Sequence, residues 1–267
     1  MGAARFLAPR PPHSWDGVRN AFEFGPPPPQ DPGISGLTGM TDIPAGDDWL
    51  TVNVWTPEPD SAAKRPVLVW IYGNAYKLGF AGSPGYDAYR VARDSDVVVV
   101  TLNYRVGVEG FTRIDGAPAN RGLLDQIAAL RWVQENIAAF GGDTDRVTVC
   151  GESAGAGSVA ALLVMPDATG LFRRAIIHSM PGKYFSDELA SDVAGALTAT
   201  IGLRPTVAEL SEVDPRRLPE AGVILNAEMR RYTRTWGVGA HLLAPFAPVV
   251  DGQVLPTAPW QAVRAQP

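Results

Sequence analysis

Apolar and polar positions along the chain follow two rhythms. "LTVNVWT" (Leu50 to Thr56) alternates residue by residue, as a half-buried strand does. "PVLVWIY" (Pro66 to Tyr72) and "DVVVVTLNY" (Asp96 to Tyr104) are unbroken apolar runs, the pattern of strands buried on both faces. "NRGLLDQIAALRWVQENIAAF" (Asn120 to Phe140) changes to helical spacing, with Leu123, Leu124, Ile127, Leu130, Val133, Ile137 and Phe140 on one side. Gly141 and Gly142 then stop the helix. "RVTVCG" predicts a strand, "SAGAGSVAALLVM" a helix, and "RRAIIHS" (Arg173 to Ser179) another strand. Beyond Pro181 the pattern is helical, through "SDELASDVAGALTATIG" and "PEAGVILNAEMRRYT", and a short apolar piece, "FAPVVDGQVLP", follows. Residues 1–40 show weak periodicity and read as coil with short extended pieces.

Strands alternating with helices require crossover connections and so a mainly parallel sheet flanked by helices. The expected fold class is α/β. With no linker and no internal repeat, residues 1–267 read as one domain.

Composition narrows the function. Hydrophobic residues make up 46% and charged residues 19% of the 267 positions, an ordinary globular balance. The net charge is −5, and no basic run exceeds a pair, so the electrostatic footprint of a nucleic-acid binder is missing. A single cysteine, Cys150, allows no internal disulfide and fits a reducing compartment. "MGAARFLAPRPPHSW" has no apolar segment of the signal-peptide kind, and no run reaches the ~20 apolar residues of a membrane span. The chain therefore reads as cytoplasmic. "PPPP" (Pro26 to Pro29) could serve a proline-reading partner, but a stiff surface loop explains it as well. There is no Cys/His cluster with metal spacing and no P-loop, so no metal or nucleotide cofactor is expected.

The chemistry concentrates in "TVCGESAGAGSVAA" (Thr148 to Ala161). Gly151-Glu152-Ser153-Ala154-Gly155 is a G-x-S-x-G at the junction of a predicted strand and a predicted helix. Such an elbow lifts the serine hydroxyl above the C-terminal edge of a parallel sheet, where these folds place their sites. Small residues flank it because strand and helix pass close together. The helix N-terminus that follows favours a developing oxyanion, and the N–H of Ala154 is a candidate donor. The alternative is a Gly-rich turn with an idle serine.

At these residues the chain resembles the type B carboxylesterases of the α/β-hydrolase superfamily. "DDWLTVNVW" (Asp47 to Trp55), "NYRVG" (Asn103 to Gly107) with Gly110 and Phe111, and "NRGLLDQIAALRWVQENIAAFGGDTDRVTVCGESAGAGSV" are similar to successive signatures of that family. "PVVDGQVLP" (Pro248 to Pro256) and "RFLAPRPPHSWDGVRNAFEFGPPPPQ" match a later and an earlier one. The resemblance implies an α/β-hydrolase fold and hydrolysis of small-molecule carboxylic esters through an acyl-enzyme on Ser153. It implies a second oxyanion element at "YGNAY" (Tyr72 to Tyr76), with donors from Gly73 and Asn74.

Several positions depart from the family pattern. Asn74 stands where glycine is usual; asparagine tolerates a left-handed backbone, and its side chain is expected to crowd the acyl site. Tyr72 replaces a histidine, and Trp49 a disulfide cysteine. The family's N-terminal small sheet, and the later loops that carry its acid and histidine, have no counterpart in the chain. A truncated, weakly active or inactive esterase is therefore expected. A non-catalytic binding module of the same fold is the alternative, and an exposed sheet edge could prevent stable folding.

No residue present is an obvious proton acceptor. His178 ends the strand after the elbow helix, in the wrong place for the family's histidine. His241 is expected at a lining or surface position, and His13 carries no motif. Glu152 belongs to the elbow, and Asp251 to a turn. Ser179 resembles a serine of a buried polar network, a supporting role. Cys150 is expected to be core. Tyr76, Phe80, Tyr184 and Phe185 are candidate lining residues, with core packing equally open.

Overall fold

The computed structural model describes residues 4–31 and 46–265. Five strands form the central sheet: β1 (Val52–Trp55), β2 (Arg65–Ile71), β3 (Val98–Leu102), β4 (Gly142–Glu152) and β5 (Arg174–His178). Their order is β1-β3-β2-β4-β5; β1 is antiparallel to β3 and the other pairs are parallel. Between them run α1 (Tyr89–Ser95), α2 (Gly107–Phe111), α3 (Arg121–Asn136) and α4 (Ala154–Leu162). α5 (Asp187–Ala199), α6 (Val207–Ser211), α7 (Leu218–Glu228), α8 (Thr233–Trp236) and α9 (Pro259–Ala265) follow β5. A second, two-stranded parallel sheet joins β6 (Phe185–Ser186) to β7 (Val249–Val250).

The local causes are visible. α3 ends in a 3-10 turn at Ile137–Phe140, and Gly141 takes φ 84° to cap it, as the Gly-Gly pair predicts. α5 starts where the Ser186 side chain accepts the Leu189 N–H at 3.2 Å. α1, α2, α9 and the β6–β7 pair escape the sequence pattern because each is short. The expected extended pieces of residues 1–40 include 32–40, which lie outside the described residues.

β3, between β1 and β2, is buried along its whole length. β2 departs from expectation. Val67, Val69 and Ile71 are buried, but Leu68 and Trp70 on the other face are only half-buried. That face is covered by α1, whose Ala88 and Ala92 neighbours make a small cluster with Val99. Most other apolar side chains join one large cluster on the opposite face, under α3 and α4. β5 is largely exposed: it pairs with β4 on one side, and among the described residues no strand pairs with its other edge.

Beneath the sheet's C-terminal edge sits a buried polar knot. Arg105 holds both carboxylate oxygens of Asp125, at 2.8 and 2.7 Å, and donates to the carbonyls of Arg5 and Leu7 at 2.8 Å each. Arg121 donates to the carbonyls of Val108, Glu109, Thr112 and Pro118. Arg5 pairs with Glu109, whose carboxyl is pushed up by burial against the pull of Arg5. These bonds fasten the N-terminal strap to α2 and α3. Loops that arrive at the sheet edge thus have a fixed base.

Candidate active site

Ser153 sits between β4 and α4 with φ 53° and ψ −121°, a region that side chains avoid. Three contacts hold it there. Its N–H donates to the His178 carbonyl at 2.9 Å, and its carbonyl accepts the Gly157 N–H at 3.0 Å. The third is steric. A Cβ on Gly151 would meet the Gly155 carbonyl at 2.5 Å, and one on Gly155 would meet the Ile71 carbonyl at 2.1 Å. Only glycines let strand, elbow and helix pass at this distance. The small residues of the sequence pattern are therefore an excluded-volume requirement.

Behind the serine, the N–H groups that open α4, Ala154 first, have no partner within the helix. The loop after β2 approaches from the other side. Asn74, Ala75 and Tyr76 are left-handed in succession, with φ 67°, 56° and 58°. The loop is tied by Lys77 N–H to the Asn74 carbonyl (3.0 Å) and by Gly107 N–H to the Tyr76 carbonyl (2.7 Å). Two details differ from expectation. Asn74 is exposed with its side chain beside the Tyr86 hydroxyl, and it is not on the wall of the cavity beside Ser153. Gly73 packs against the elbow, where a Cβ would stand 2.5 Å from the Glu152 carbonyl, whereas Ala75 lines the cavity. Ala75 was not among the candidates; the sequence offered no signal that separates it from its neighbours.

The cavity holds about 230 Å³. Ser153, Ala154, Ala75 and Tyr76 form one side. The other comes from two segments without motifs: Pro181 and Lys183 after β5, and His241 to Ala247 after α8. Phe246 and the leucines Leu242 and Leu243 make that wall mainly apolar. Asn120 anchors the second segment: its amide donates to the Val249 carbonyl and accepts the Val249 N–H, each at 2.7 Å.

The remaining candidates separate. His241 lines the cavity with Ser153, and its Nε2 lies 3.4 Å from Thr233 Oγ1. His178 contributes its carbonyl, while its side chain is exposed and off the cavity wall; His13 is exposed. Ser179, expected in a buried network, is exposed at φ 54°, just after the strand whose outer edge is unpaired among the described residues. Glu152 is exposed beside the elbow. Asp251 closes a turn, accepting from the N–H groups of Gln253 and Leu255 at 3.0 and 2.9 Å. Cys150 is buried in β4, and burial pushes its thiol up. Tyr72 stacks on Tyr104 at 4.4 Å between ring centres, and each hydroxyl donates to the other's carbonyl, at 3.3 and 2.6 Å. Trp49 is buried. Phe80 and Phe185 are core, while Tyr184 donates to the Gly157 carbonyl at 2.7 Å. Among the described residues, none hydrogen-bonds to Ser153 Oγ, and no His/Cys/Asp/Glu cluster could hold a metal.

A mostly parallel sheet flanked by helices, with a strained serine at a strand-to-helix elbow, defines an α/β-hydrolase. The comparisons make the assignment specific. The model of the Carboxylesterase family matches residues 1–267, and the chain belongs to that family. It is 40% identical over 270 residues to para-nitrobenzyl esterase of Bacillus subtilis (strain 168), covering 98% of this chain and 53% of that protein. It is 38% identical over 282 residues to carboxylesterase 3 of Homo sapiens, covering 100% and 46%. Among solved structures, a thermophilic PNB esterase superposes with a TM-score of 0.85 at 39% identity, over 98% of this chain and 54% of that one. The Geobacillus stearothermophilus carboxylesterase EST55 gives 0.83 at 43%, over 99% and 52%. The chain thus spans about half the length of the relatives it matches.

Proposed function

We propose that the chain carries the acylating site of a serine carboxylesterase acting on small carboxylic esters. One observation supports this above the rest: Ser153 is kept at φ 53°, ψ −121° on the rim of a largely apolar cavity. Strain of that kind persists only where the surroundings enforce it, and it clusters at reacting groups. In the proposed reaction Ser153 Oγ adds to the ester carbonyl carbon as its proton passes to a base. The tetrahedral intermediate then expels the alcohol, which takes up a proton. Water hydrolyses the acyl–serine bond and releases the acid.

Developing charge on the carbonyl oxygen falls to the N–H of Ala154 and to the loop N–H groups of Gly73, Asn74 and Ala75. Of these three loop residues, only Ala75 is on the cavity wall, so its N–H is the donor we favour. Removing one such donor costs roughly 3 kcal/mol, some hundredfold in rate.

The test is a fluorophosphonate probe followed by mass spectrometry. The expected result is one adduct on the peptide bearing Ser153, and none in Ser153→Ala. A folded chain that takes no adduct, and whose p-nitrophenyl butyrate turnover equals that of Ser153→Ala, refutes the proposal.

A further inference from the structure

The cavity wall is one-sided in its chemistry. Apart from Ser153, its side-chain polar groups are Lys183, His241 and the Tyr76 hydroxyl, and no carboxylate lines it. Lys183 is half-buried, and among the described residues no acidic group or other partner meets its ammonium. Tyr76 is buried, and its hydroxyl has no hydrogen-bond partner there. That hydroxyl lies against Gly157, one turn into α4, where a Cβ would stand 2.1 Å from it. Pro181, two residues before Lys183, packs at the same glycine. The loop that carries Lys183 therefore lies against the elbow helix.

An unpaired cation on an apolar wall is costly to desolvate unless something negative joins it. Lys183 stands half-buried on that wall, where a bound carboxylate can replace the water around its ammonium. Positive charge with no matching carboxylate on the wall describes a site that can accept an anionic oxygen group.

We infer that Lys183 selects esters whose acyl chain carries a carboxylate, the monoesters of short dicarboxylic acids. This rests on Ser153 being the reacting group: the ester carbonyl lies at Ser153, and the distal carboxylate lies on Lys183. The apolar stretch between, from Leu242 to Phe246, suits the methylenes. Lys183 touches the substrate but not the reacting atoms, so it sets specificity.

The test uses Ser153→Ala, which stops turnover and leaves the wall intact, titrated by calorimetry with monomethyl glutarate and with neutral methyl pentanoate. The glutarate monoester is expected to bind about tenfold tighter, the weight of one charge-assisted hydrogen bond open to solvent. Adding Lys183→Met removes the preference, Lys183→Arg restores it, and raising salt weakens it. Equal affinity for the two esters, or a preference that survives Lys183→Met, overturns the inference. In the chain with Ser153 intact, the p-nitrophenyl monoester of glutarate is expected to exceed p-nitrophenyl pentanoate in kcat/KM, mainly through KM. If the fluorophosphonate fails to label Ser153 yet the binding preference holds, the acyl-transfer reading falls and the anion-selective pocket stands. If labelling succeeds and the preference is absent, the reverse is true.

Discussion

The backbone of Ser153 provides a stability test that separates strain from chemistry. Two substitutions, Ser153→Gly and Ser153→Ala, both delete the hydroxyl. They differ in what the backbone tolerates. At φ 53°, ψ −121° an alanine keeps the clash of its Cβ, and glycine has none. Conformations of this kind cost about 1–3 kcal/mol for a residue with a side chain. Glycine's extra freedom in the unfolded chain offsets about 0.5–1 kcal/mol of the relief. Ser153→Gly should therefore be more stable than Ser153→Ala by roughly 0.5–2 kcal/mol. In thermal unfolding that is a rise of about 2–4 °C per kcal/mol for a chain near this size. Urea denaturation followed by circular dichroism measures the difference, provided both variants show the same slope against denaturant. A neighbour supplies the control: Ala154, the first residue of α4, is in helical geometry, so Ala154→Gly should lose stability. If Ser153→Gly proved no more stable than Ser153→Ala at equal slope, the elbow would not be strained, and the main support for a reactive Ser153 would be gone.

Other expectations follow from the same contacts. Asp125→Ala leaves Arg105 buried without its carboxylate and should cost about 3–5 kcal/mol, read as a fall in the urea midpoint. Asn120→Ala breaks both 2.7 Å bonds to Val249 and puts alanine at φ 57°, a loss of about 2–4 kcal/mol in the same assay. Burial raises the Cys150 thiol, so less thiolate is present at pH 8.5 than in free cysteine; its reaction with a disulfide reagent should be at least about tenfold slower folded than in urea. Equal rates would place Cys150 outside the core. Ile176 and Ile177 are 41% and 39% exposed on the open strand β5, so Ile177→Lys should reduce concentration-dependent light scattering.

The sequence made the fold legible where the apolar rhythm was long: the strands β2 to β5, the helices α3 and α4, and the glycine stop at Gly141. It made the elbow legible because close passage of strand and helix forces a pattern of small residues that can be counted. The far wall of the cavity left no such trace. Lys183 and His241 reach it from segments whose path depends on tertiary contacts, such as the Asn120 clamp on Val249. The loop after β2 was half legible. Its position was clear from the residues around it, but which N–H faces the cavity depends on three consecutive left-handed residues, Asn74 to Tyr76. The full burial expected of β2 failed for a physical reason. Local apolarity says that a surface wants cover and does not say what covers it.

This separates two parts of the site by how they are held. Every contact that fixes Ser153 comes from within residues 71–178: the Ile71 carbonyl against Gly155, the Gly157 N–H, and the His178 carbonyl. All of these belong to the sheet edge or to the helix it feeds. The elbow's geometry thus needs nothing from the segments beyond β5. The wall is built the other way. Lys183 and His241 to Ala247 sit on turns anchored by the β6–β7 pair, by Asn120 on Val249 and by the Tyr184 hydroxyl on the Gly157 carbonyl. A change at Asn120 or Val249 should therefore alter which esters bind before it alters how readily Ser153 reacts, whereas a change at Gly155 should remove reactivity whatever the ester. Selectivity and nucleophilicity are carried by parts of the chain with different stabilities, so denaturant below the global transition should erode the preference for an anionic ester first.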